Sequence, residues 1–432
     1  MVKGSTVFLF GAGATLAWGS PSTQTLTKII RTSGFRTTDN KTTITEFIFQ
    51  KLLANGYQEW EVNFETIVNV IEELIVYYSY FNTEKKLPSL LSAFYHPLWE
   101  TELFNFSTKD GKFEHGYKLQ IPIGIDSDYM RASHHNESGP QFFFQHLLTI
   151  LITNINAEIS RYAYHTSGNP AIFDKGNDDL IQLFTNWMNS ISKNSSLRLY
   201  TLNYDRLFKV LLERAGVPIF EGFDSEEYIA YTATLRPNIR RILSDTEGNI
   251  HYNLHGSAFW RVLPLDDYQL NNPELRLTTA PSLPINHDQS TLQIEKGKTI
   301  MLTNIVTGYQ KAQKAMIVPF KQMQSMFDRD CCFTDTIYII GYSFGDEHIN
   351  ASIKLAIRYN ENVKVIIVDP FFIKNDKDSE LIVSLFAYRN DLQMINCQKV
   401  EDNLYSYFNG AIVVYTLGFR EFLQLKKDIG EL

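Results

Sequence analysis

The stretch Ser196-Leu-Arg-Leu-Tyr-Thr-Leu-Asn-Tyr-Asp205 joins a predicted strand to a predicted helix. Its first residues alternate as a short strand does, and Arg206–Glu213, which follows, has helical spacing. An open α/β sheet binds its ligand at such a junction, outside the carboxyl ends of its strands. Asn203 and Asp205 could therefore face one pocket. They could equally turn the chain and cap the helix, and the stretch alone leaves both alternatives open.

A second junction of this kind lies near the N-terminus. Val7–Phe10 is a predicted strand, and it runs into a turn with glycines at positions 11 and 13 that ends at Thr15. Glycines let the backbone approach a pyrophosphate, and the N–H groups at the start of a helix point at it. The turn thus predicts phosphate binding by Gly11, Ala12, Gly13 and Thr15. It lacks the third glycine of the dinucleotide fingerprint, so a tight turn without a ligand remains an alternative.

Three more predicted strands, all in the second half of the chain, end in residues that could bind a ligand. Their continuous apolar runs suit a parallel sheet that is covered on both faces. The strands and the residues that follow them are Asn249–Leu254 with His255, Thr336–Ile340 with Gly341 and Ser343, and Val363–Val368 with Asp369.

If these strands are neighbours, their carboxyl ends form one crevice, the expected place for a nucleotide. His255 titrates near neutrality and can act there as a general base. Ser343 can hydrogen-bond a phosphate, and Asp369 can accept hydrogen bonds from a ribose diol. Each residue also has a structural alternative. His255 could bond a loop carbonyl, Ser343 could cap a turn, and Asp369 with Pro370 could end the strand.

The pattern between residues 22 and 195 is mainly helical. We therefore predict an α/β fold in which residues 1–21 and 196–372 form a Rossmann-like domain with a mostly parallel sheet, residues 22–195 form a large helical insertion, and residues 373–432 form a short C-terminal extension. The pair His134-His135 in the insertion has no carboxylates at ligand spacing, so we expect no metal there.

Composition excludes several classes of function. The 432 residues are 44% hydrophobic and carry a net charge of -8, whereas a nucleic-acid binder needs a basic surface. The three cysteines form no Cys-x-x-Cys pair and are too few for a disulfide framework. The apolar run Thr6–Phe10 is too short for a secretory signal, and no apolar window is long enough to span a membrane. We expect a cytoplasmic protein without direct nucleic-acid or membrane binding.

Five short motifs occur in the order seen in sirtuin-like NAD-binding domains, and the chain resembles these domains over roughly residues 1–370. The resemblance is closest to bacterial sirtuin-like proteins of anti-phage defence. The motifs are Gly11-Ala-Gly-Ala-Thr15, Thr201-Leu-Asn-Tyr-Asp205, Leu254-His-Gly-Ser257, Gly341-Tyr-Ser-Phe-Gly-Asp-Glu-His348 and Val368-Asp369.

The resemblance implies a role for each matching residue. Asn203 and His255 match the Asn and His that carry out chemistry on NAD. The NAD-binding positions are Gly11, Ala12 and Gly13 at the phosphates, Asp205 near the nicotinamide end, Gly341 and Ser343 in a cofactor-contacting turn, and Asp369 at the adenosine ribose. Protein-deacylating sirtuins also have a four-cysteine zinc site, which three cysteines cannot build, so no zinc is expected.

The resemblance implies an NAD+ glycohydrolase, with NAD as its substrate, that cleaves NAD to nicotinamide and ADP-ribose and depletes it during phage infection. A zinc-less NAD-dependent deacylase and a non-catalytic NAD or ADP-ribose sensor are the alternatives. Because a permanently active enzyme of this kind would kill its host, we expect a homo-oligomer with an activating partner, such as a HerA-like ATPase or an Argonaute-type protein.

Overall fold

The computed structural model describes residues 4–432 with the exception of several segments. These segments are 79–81, 83, 85, 89, 97–98, 104–105, 110–111, 116–138, 164–174, 230–231, 264–273, 279–290, 296–297, 309–310, 361, 373–381, 383 and 385–397. The pair His134-His135 and Cys397 lie outside the described residues.

The described strands are β1 (Gly4–Phe10), β2 (Phe106–Lys109), β3 (Lys112–His115), β4 (Ser195–Thr201), β5 (Phe223–Ile229), β6 (Thr232–Pro237), β7 (Ile250–Asn253), β8 (Trp260–Leu263), β9 (Glu274–Thr278), β10 (Thr291–Glu295), β11 (Lys298–Met301), β12 (Thr336–Ile340), β13 (Lys364–Val368), β14 (Gln398–Glu401), β15 (Leu404–Tyr407) and β16 (Ile412–Tyr415).

The described α-helices are α1 (Thr23–Arg31), α2 (Ile44–Ala54), α3 (Phe64–Tyr77), α4 (Leu91–Phe94), α5 (Trp99–Leu103), α6 (Gly139–Ala163), α7 (Asp178–Ser192), α8 (Leu207–Arg214), α9 (Ile239–Ser244), α10 (Lys311–Lys314), α11 (Phe320–Phe333), α12 (Glu347–Tyr359) and α13 (Phe419–Asp428). None of these helices is long and apolar enough to cross a membrane.

An eight-stranded sheet in the order β14-β15-β16-β13-β12-β1-β4-β7 organises the fold. The strands from β16 to β7 are parallel, and β14 and β15 complete the edge as antiparallel strands. The chain moves outward from β1 to β4 and β7 and then returns to the other side of β1 for β12 and β13. This reversal beside β1 is the topological switch point at which doubly wound sheets bind ligands. The predicted α/β, Rossmann-like fold is confirmed.

The register brings the predicted ligand-binding strand ends to one edge. Phe10 at the end of β1 pairs with Thr201 of β4 on one side and with Ile340 of β12 on the other. Thr201 in turn pairs with Asn253 of β7, and Ile340 with Val368 of β13. The residues that follow these five strands therefore share the carboxyl edge of the sheet.

Alternate residues of β1 pack into two different cores. Val7 and Leu9 are buried on the face that α11 contacts, in the core cluster to which α11 and helices of the predicted insertion both contribute. Phe8 and Phe10 are buried on the opposite face, against α7, α8 and α13. A strand that is buried on both faces has to be apolar throughout, which explains the run Val7–Phe10.

Elements outside the predicted Rossmann-like domain pack on its sheet or pair with it. Helix α7 lies within residues 22–195, yet Trp187 on it packs edge-on against Phe8 of β1 and Phe422 of α13, with ring centroids 5.5 and 5.4 Å apart. It thus belongs to the layer that covers the sheet. Strands β14 to β16 and α13 lie within the predicted C-terminal extension, residues 373–432, but they complete the same sheet and its cover.

A buried ionic cluster joins β4 to α11. Arg198 is fully buried, and its Nε donates to Asp330 Oδ2 over 2.6 Å. The other guanidinium nitrogens donate to the backbone oxygens of Gly248 and Asp245, each over 2.8 Å. The Tyr200 hydroxyl donates to the same Asp330 oxygen over 2.6 Å. The buried charge of Arg198 is therefore paired and hydrogen-bonded, as a buried charge must be.

We expect Asp330→Ala to lower the free energy of unfolding by about 3–5 kcal/mol, because the buried charge of Arg198 would then have only Asp245 Oδ1, 3.8 Å away, as a carboxylate partner. The double change Arg198→Met with Asp330→Ala should cost less than Asp330→Ala alone, since no buried charge then remains. Urea unfolding followed by tryptophan fluorescence measures both. A double variant less stable than the single variant would contradict this role of the ion pair.

Candidate functional site

Two glycine turns interlock at the carboxyl edge of β1 and β12. Gly11 N donates to Ile340 O and Gly13 N donates to Gly341 O, each over 2.9 Å. A Cβ on Gly11 would collide with the carbonyl of Gly341, and a Cβ on Gly341 would collide with the backbone nitrogen of Ala14. Gly341 also has a φ of 60°, which favours glycine. These glycines are thus required by the packing of one turn on the other, whatever ligand the turns bind.

Asn203 is tied to the first of these turns. Its Nδ2 donates to Gly11 O over 3.1 Å and to Thr15 Oγ1 over 3.3 Å, and its backbone nitrogen donates to Thr201 Oγ1 over 3.0 Å. The structure therefore brings three of the predicted site residues together: Asn203, Gly11 and Thr15. Of the other residues predicted at the turns, Ala12 and Ser343 are exposed.

Asp205 lies below the surface of this edge. It is 5% exposed, and its Oδ1 accepts a hydrogen bond from Leu207 N, the first residue of α8, over 2.8 Å. Burial raises the pKa of Asp205 to about 6. This geometry agrees with the structural alternative, in which Asp205 caps α8 and turns the chain into it. Its contact with the nicotinamide end of NAD stays a prediction.

Asn253, which no sequence motif singled out, fixes the loop that carries Asn203 and Asp205. Its Nδ2 donates to the backbone oxygens of Asn203 and Asp205 over 2.9 and 2.8 Å. It is the last residue of β7, paired in register with Thr201 of β4. A polar residue at the end of a buried strand was the available sequence signal.

His255 is buried at the same edge, two residues after β7. It is 3% exposed, and its Nε2 has no hydrogen-bond partner among the described residues, the nearest carboxylate oxygen being Asp346 Oδ1 at 4.0 Å. Its ring centroid is 5.5 Å from that of His348. Burial, together with the positive charge of Lys311, lowers the pKa of His255 to about 3, against the opposing carboxylate of Asp346. The imidazole is therefore neutral at physiological pH.

An ionic network beside His255 was not predicted from the sequence. Lys311 Nζ lies 2.7 Å from Glu65 Oε2 and 3.0 Å from Asp346 Oδ1. The Tyr204 hydroxyl donates to the other oxygen of Glu65 over 3.1 Å. Burial disfavours the charged form of Lys311, but Glu65 and Asp346 outweigh it and raise its pKa. Glu65 and Lys311 are 246 residues apart, so no local pattern could reveal their contact.

Asp369 lies one strand beyond the Gly341 turn, at the end of β13. Its backbone nitrogen donates to Tyr415 O over 3.0 Å, and its Oδ1 accepts from Phe371 N over 2.8 Å, which forms a tight turn. Gly341 N donates to the carbonyl of Val368, the preceding residue, over 2.9 Å. Three strand spacings separate β13 from β4, or about 14 Å, so a ligand that reaches both Asp369 and Asn203 has to be extended.

The described residues include no group of three or more His, Cys, Asp and Glu side chains that could hold a metal ion. Cys331 is buried on α11, and its neighbour Cys332 is partly exposed. Burial raises the pKa of both thiols, so neither is activated as a thiolate.

Residues 198–387 match the family model of the SIR2-like domain. This segment begins within β4 and contains β7, β12 and β13 with the residues that follow them, and it confirms a sirtuin-like domain in this part of the chain. A sirtuin-like domain of this kind points to NAD-related activity. No curated protein matches the chain at a significant level.

Among solved structures, a mutant Sir2 homologue in complex with 2'-O-acetyl ADP ribose is similar at 14% sequence identity. The match covers 90% of this chain and 94% of that chain, with a TM-score of 0.30. A TM-score this low supports no conclusion about fold or ligand.

We expect Gly341→Ala to lower the free energy of unfolding by about 2–4 kcal/mol, because the added Cβ meets both a left-handed backbone and the facing turn. Gly19 is the matched control, since it has a φ of 85° but no atom within 4 Å of the place that a Cβ would take. Gly19→Ala should therefore cost only the backbone conformation, about 1–2 kcal/mol. Thermal and urea unfolding measure both, and equal losses would contradict the interlocking of the turns.

The raised pKa of Asp205 makes stability depend on pH. The folded pKa of about 6 lies above the usual 3.8, so the folded protein holds a proton that the unfolded chain releases in this interval. Stability from this group is thus complete below about pH 4 and is lost as the pH rises through about 6. Between about pH 4 and about pH 6 or above, the free energy of unfolding of Asp205→Asn should rise by about 2–3 kcal/mol relative to that of the wild type. Urea unfolding at both pH values checks this, and parallel pH profiles would contradict it.

Proposed function

We propose that the protein binds NAD at the carboxyl edge of its sheet and hydrolyses the N-glycosidic bond, releasing nicotinamide and ADP-ribose. The observation that carries this proposal is the contact of Asn203 with the glycine turn, since Asn203 Nδ2 bonds Gly11 O over 3.1 Å across 192 residues of chain. This contact joins a candidate catalytic residue to a candidate phosphate-binding turn. Both lie at the switch point of the sheet.

The glycine turns and the residues beyond them suit the length of a dinucleotide. The exposed residues Ala12 and Ser343 would meet the pyrophosphate, and Asp369 would meet the adenosine ribose. Asn203 and His255 would then face the nicotinamide ribose at the other end. The two turns, one after β1 and one after β12, differ from an ordinary tight junction in being packed backbone to backbone.

The chemistry requires little of the protein beyond positioning and charge. The bond between C1′ of the ribose and the pyridinium nitrogen breaks, and its electron pair neutralises the nitrogen, so nicotinamide leaves without a general acid. The ribose passes through an oxocarbenium-like state, and the oxygen of a water molecule bonds to C1′. Asn203, held by its amide nitrogen, orients the water or a ribose hydroxyl with its amide oxygen. His255, neutral at physiological pH, accepts the proton that the water loses.

We also propose that this activity depletes NAD during phage infection, in a homo-oligomer that a second protein activates. The support is the resemblance to sirtuin-like defence proteins and the toxicity of an unregulated enzyme. A HerA-like ATPase or an Argonaute-type protein is the partner that this resemblance favours. Loss of cellular NAD on infection, abolished by His255→Ala, is the expected result.

Purified protein incubated with NAD should release nicotinamide, measured by chromatography. Asn203→Ala and His255→Ala should each lower the rate by about 10²-fold or more, because each removes a group that acts on the reacting atoms. His96→Ala, which changes an exposed histidine, is the matched control and should keep the wild-type rate. Thermal unfolding shows whether each variant is folded.

Other outcomes separate the alternatives. NAD binding without nicotinamide release, at high enzyme concentration and long incubation, would reject the hydrolase in favour of a sensor. Formation of acylated ADP-ribose from an acyl-lysine peptide and NAD, dependent on His255, would reject simple hydrolysis in favour of deacylation.

A further inference from the structure

Lys311 and His255 compete for the same carboxylate oxygen. Lys311 Nζ lies 3.0 Å from Asp346 Oδ1, and His255 Nε2 lies 4.0 Å from that atom, too far for a hydrogen bond. His255 Nε2 is buried and has no other hydrogen-bond partner among the described residues. A shift of Asp346 by about 1 Å would give Nε2 the partner that it lacks.

Lys311 is itself shared between two carboxylates from different parts of the fold. Glu65 lies in the first turn of α3, within the helical insertion, whereas Asp346 follows the Gly341 turn and precedes α12. Lys311 begins α10 and bridges the two. The bridge connects the insertion to the edge of the sheet where His255 lies.

These contacts are sheltered from solvent. The side chains of Lys311, Glu65 and Asp346 are 22%, 29% and 19% exposed. Interactions between partly buried charges are screened less by salt than those on an open surface. The position of the Lys311 charge therefore has a strong effect on Asp346 and, through it, on His255.

We propose that Asp346 is the positioning residue of His255. In the described state Lys311 pairs with Asp346 and keeps it from His255, and Glu65 on α3 determines how strongly Lys311 binds Asp346. This inference rests on the function proposed for His255. When Asp346 is released, it accepts a hydrogen bond from Nε2–H. That bond fixes the tautomer in which the other ring nitrogen, Nδ1, is the base, and it stabilises the imidazolium that forms when water loses its proton.

The described state is then a resting state. A general base is most effective when its pKa lies near the working pH. An imidazole whose pKa is about 3 is therefore a weak base at neutral pH. The charged and titratable groups that face His255 are Lys311 from α10, Asp346 from the turn after β12, and His348 from α12. Of these, only Asp346 raises the pKa of His255, so it is the group that could activate the imidazole.

The position of Glu65 decides which movement of α3 would release Asp346 from Lys311. Glu65 draws Lys311 away from Asp346, so a movement of α3 towards Lys311 would release Asp346, and a movement away from it would tighten the hold. A signal received by the helical insertion could in this way reach the catalytic edge through three side chains.

The test measures the pKa of His255 by NMR of its labelled imidazole, and separately the pH profile of nicotinamide release. Lys311→Gln should raise the pKa of His255 by at least two units, raise release at pH 7 at least tenfold and move the acid limb of the profile with the pKa. Glu65→Gln should act in the opposite direction, because Lys311 then pairs with Asp346 alone. Its His255 should stay neutral, and its rate should be at or below that of the wild type.

Further variants separate this effect from general loosening. Lys311→Gln combined with Asp346→Asn should lose the whole gain, and Lys311→Arg should restore the wild-type pKa. The matched control is Lys354→Met. It also removes a lysine charge, but one that pairs with the exposed Glu347 and not with Asp346, so the pKa of His255 should stay unchanged. Glu65→Gln keeps an acceptor for the Tyr204 hydroxyl, so it tests the network from the opposite direction if Lys311→Gln fails to fold.

An unchanged pKa of His255 in folded Lys311→Gln, or a shift of the same sign in Glu65→Gln, would overturn the proposed network. A raised pKa without faster release, in a protein whose wild type does release nicotinamide, would overturn the positioning role. Raised pKa values with no nicotinamide from any variant would instead reject the hydrolase and leave the network standing.

Discussion

The contact between the turns after β1 and β12 is the constraint on which the rest of the catalytic edge depends. Gly13 N bonds Gly341 O over 2.9 Å, and neither turn has room for a Cβ at the point of contact. The ends of the two central strands are therefore held backbone to backbone. Asn203 reaches the first turn with its side chain, and Asp346 is carried by the second. The spacing of the groups that could act on a ligand follows from this contact.

A second consequence is electrostatic. Close packing at the edge buries His255 and leaves a few charged side chains to determine its state. Lys311 and Asp346 act on its pKa in opposite directions, and burial lowers it further. Because Lys311 also pairs with Glu65, the helical insertion is not merely attached to the Rossmann-like domain but contributes a charge to its edge. The insertion and the sheet thus share one ionic network.

The strands were predictable because a sheet buried on both faces needs continuous apolar runs, as Val7–Phe10 shows. Asn63 caps α3: its Oδ1 accepts hydrogen bonds from the backbone nitrogens of Glu65 and Thr66 over 2.9 and 3.1 Å, and Asn is one of the residue types preferred at this position. Local patterns did not reveal that α7 packs on the central sheet or that β14 to β16 pair with it. Amphipathic helices and short strands show which face is apolar but not which partner covers it.

The sequence by itself determined the type and order of the central strands and the polar residues at their ends, since strand periodicity and glycine turns are local properties. It also indicated the candidates Asn203 and His255, because each lies two residues after a strand, within a motif that resembles those of sirtuin-like domains. Only the tertiary structure decided that the glycines allow the two turns to pack on each other, that Asp205 is buried under the loop, and that Lys311 lies between Glu65 and Asp346. The physical reason is that burial and charge pairing depend on distance in space, and the residues concerned are far apart along the chain.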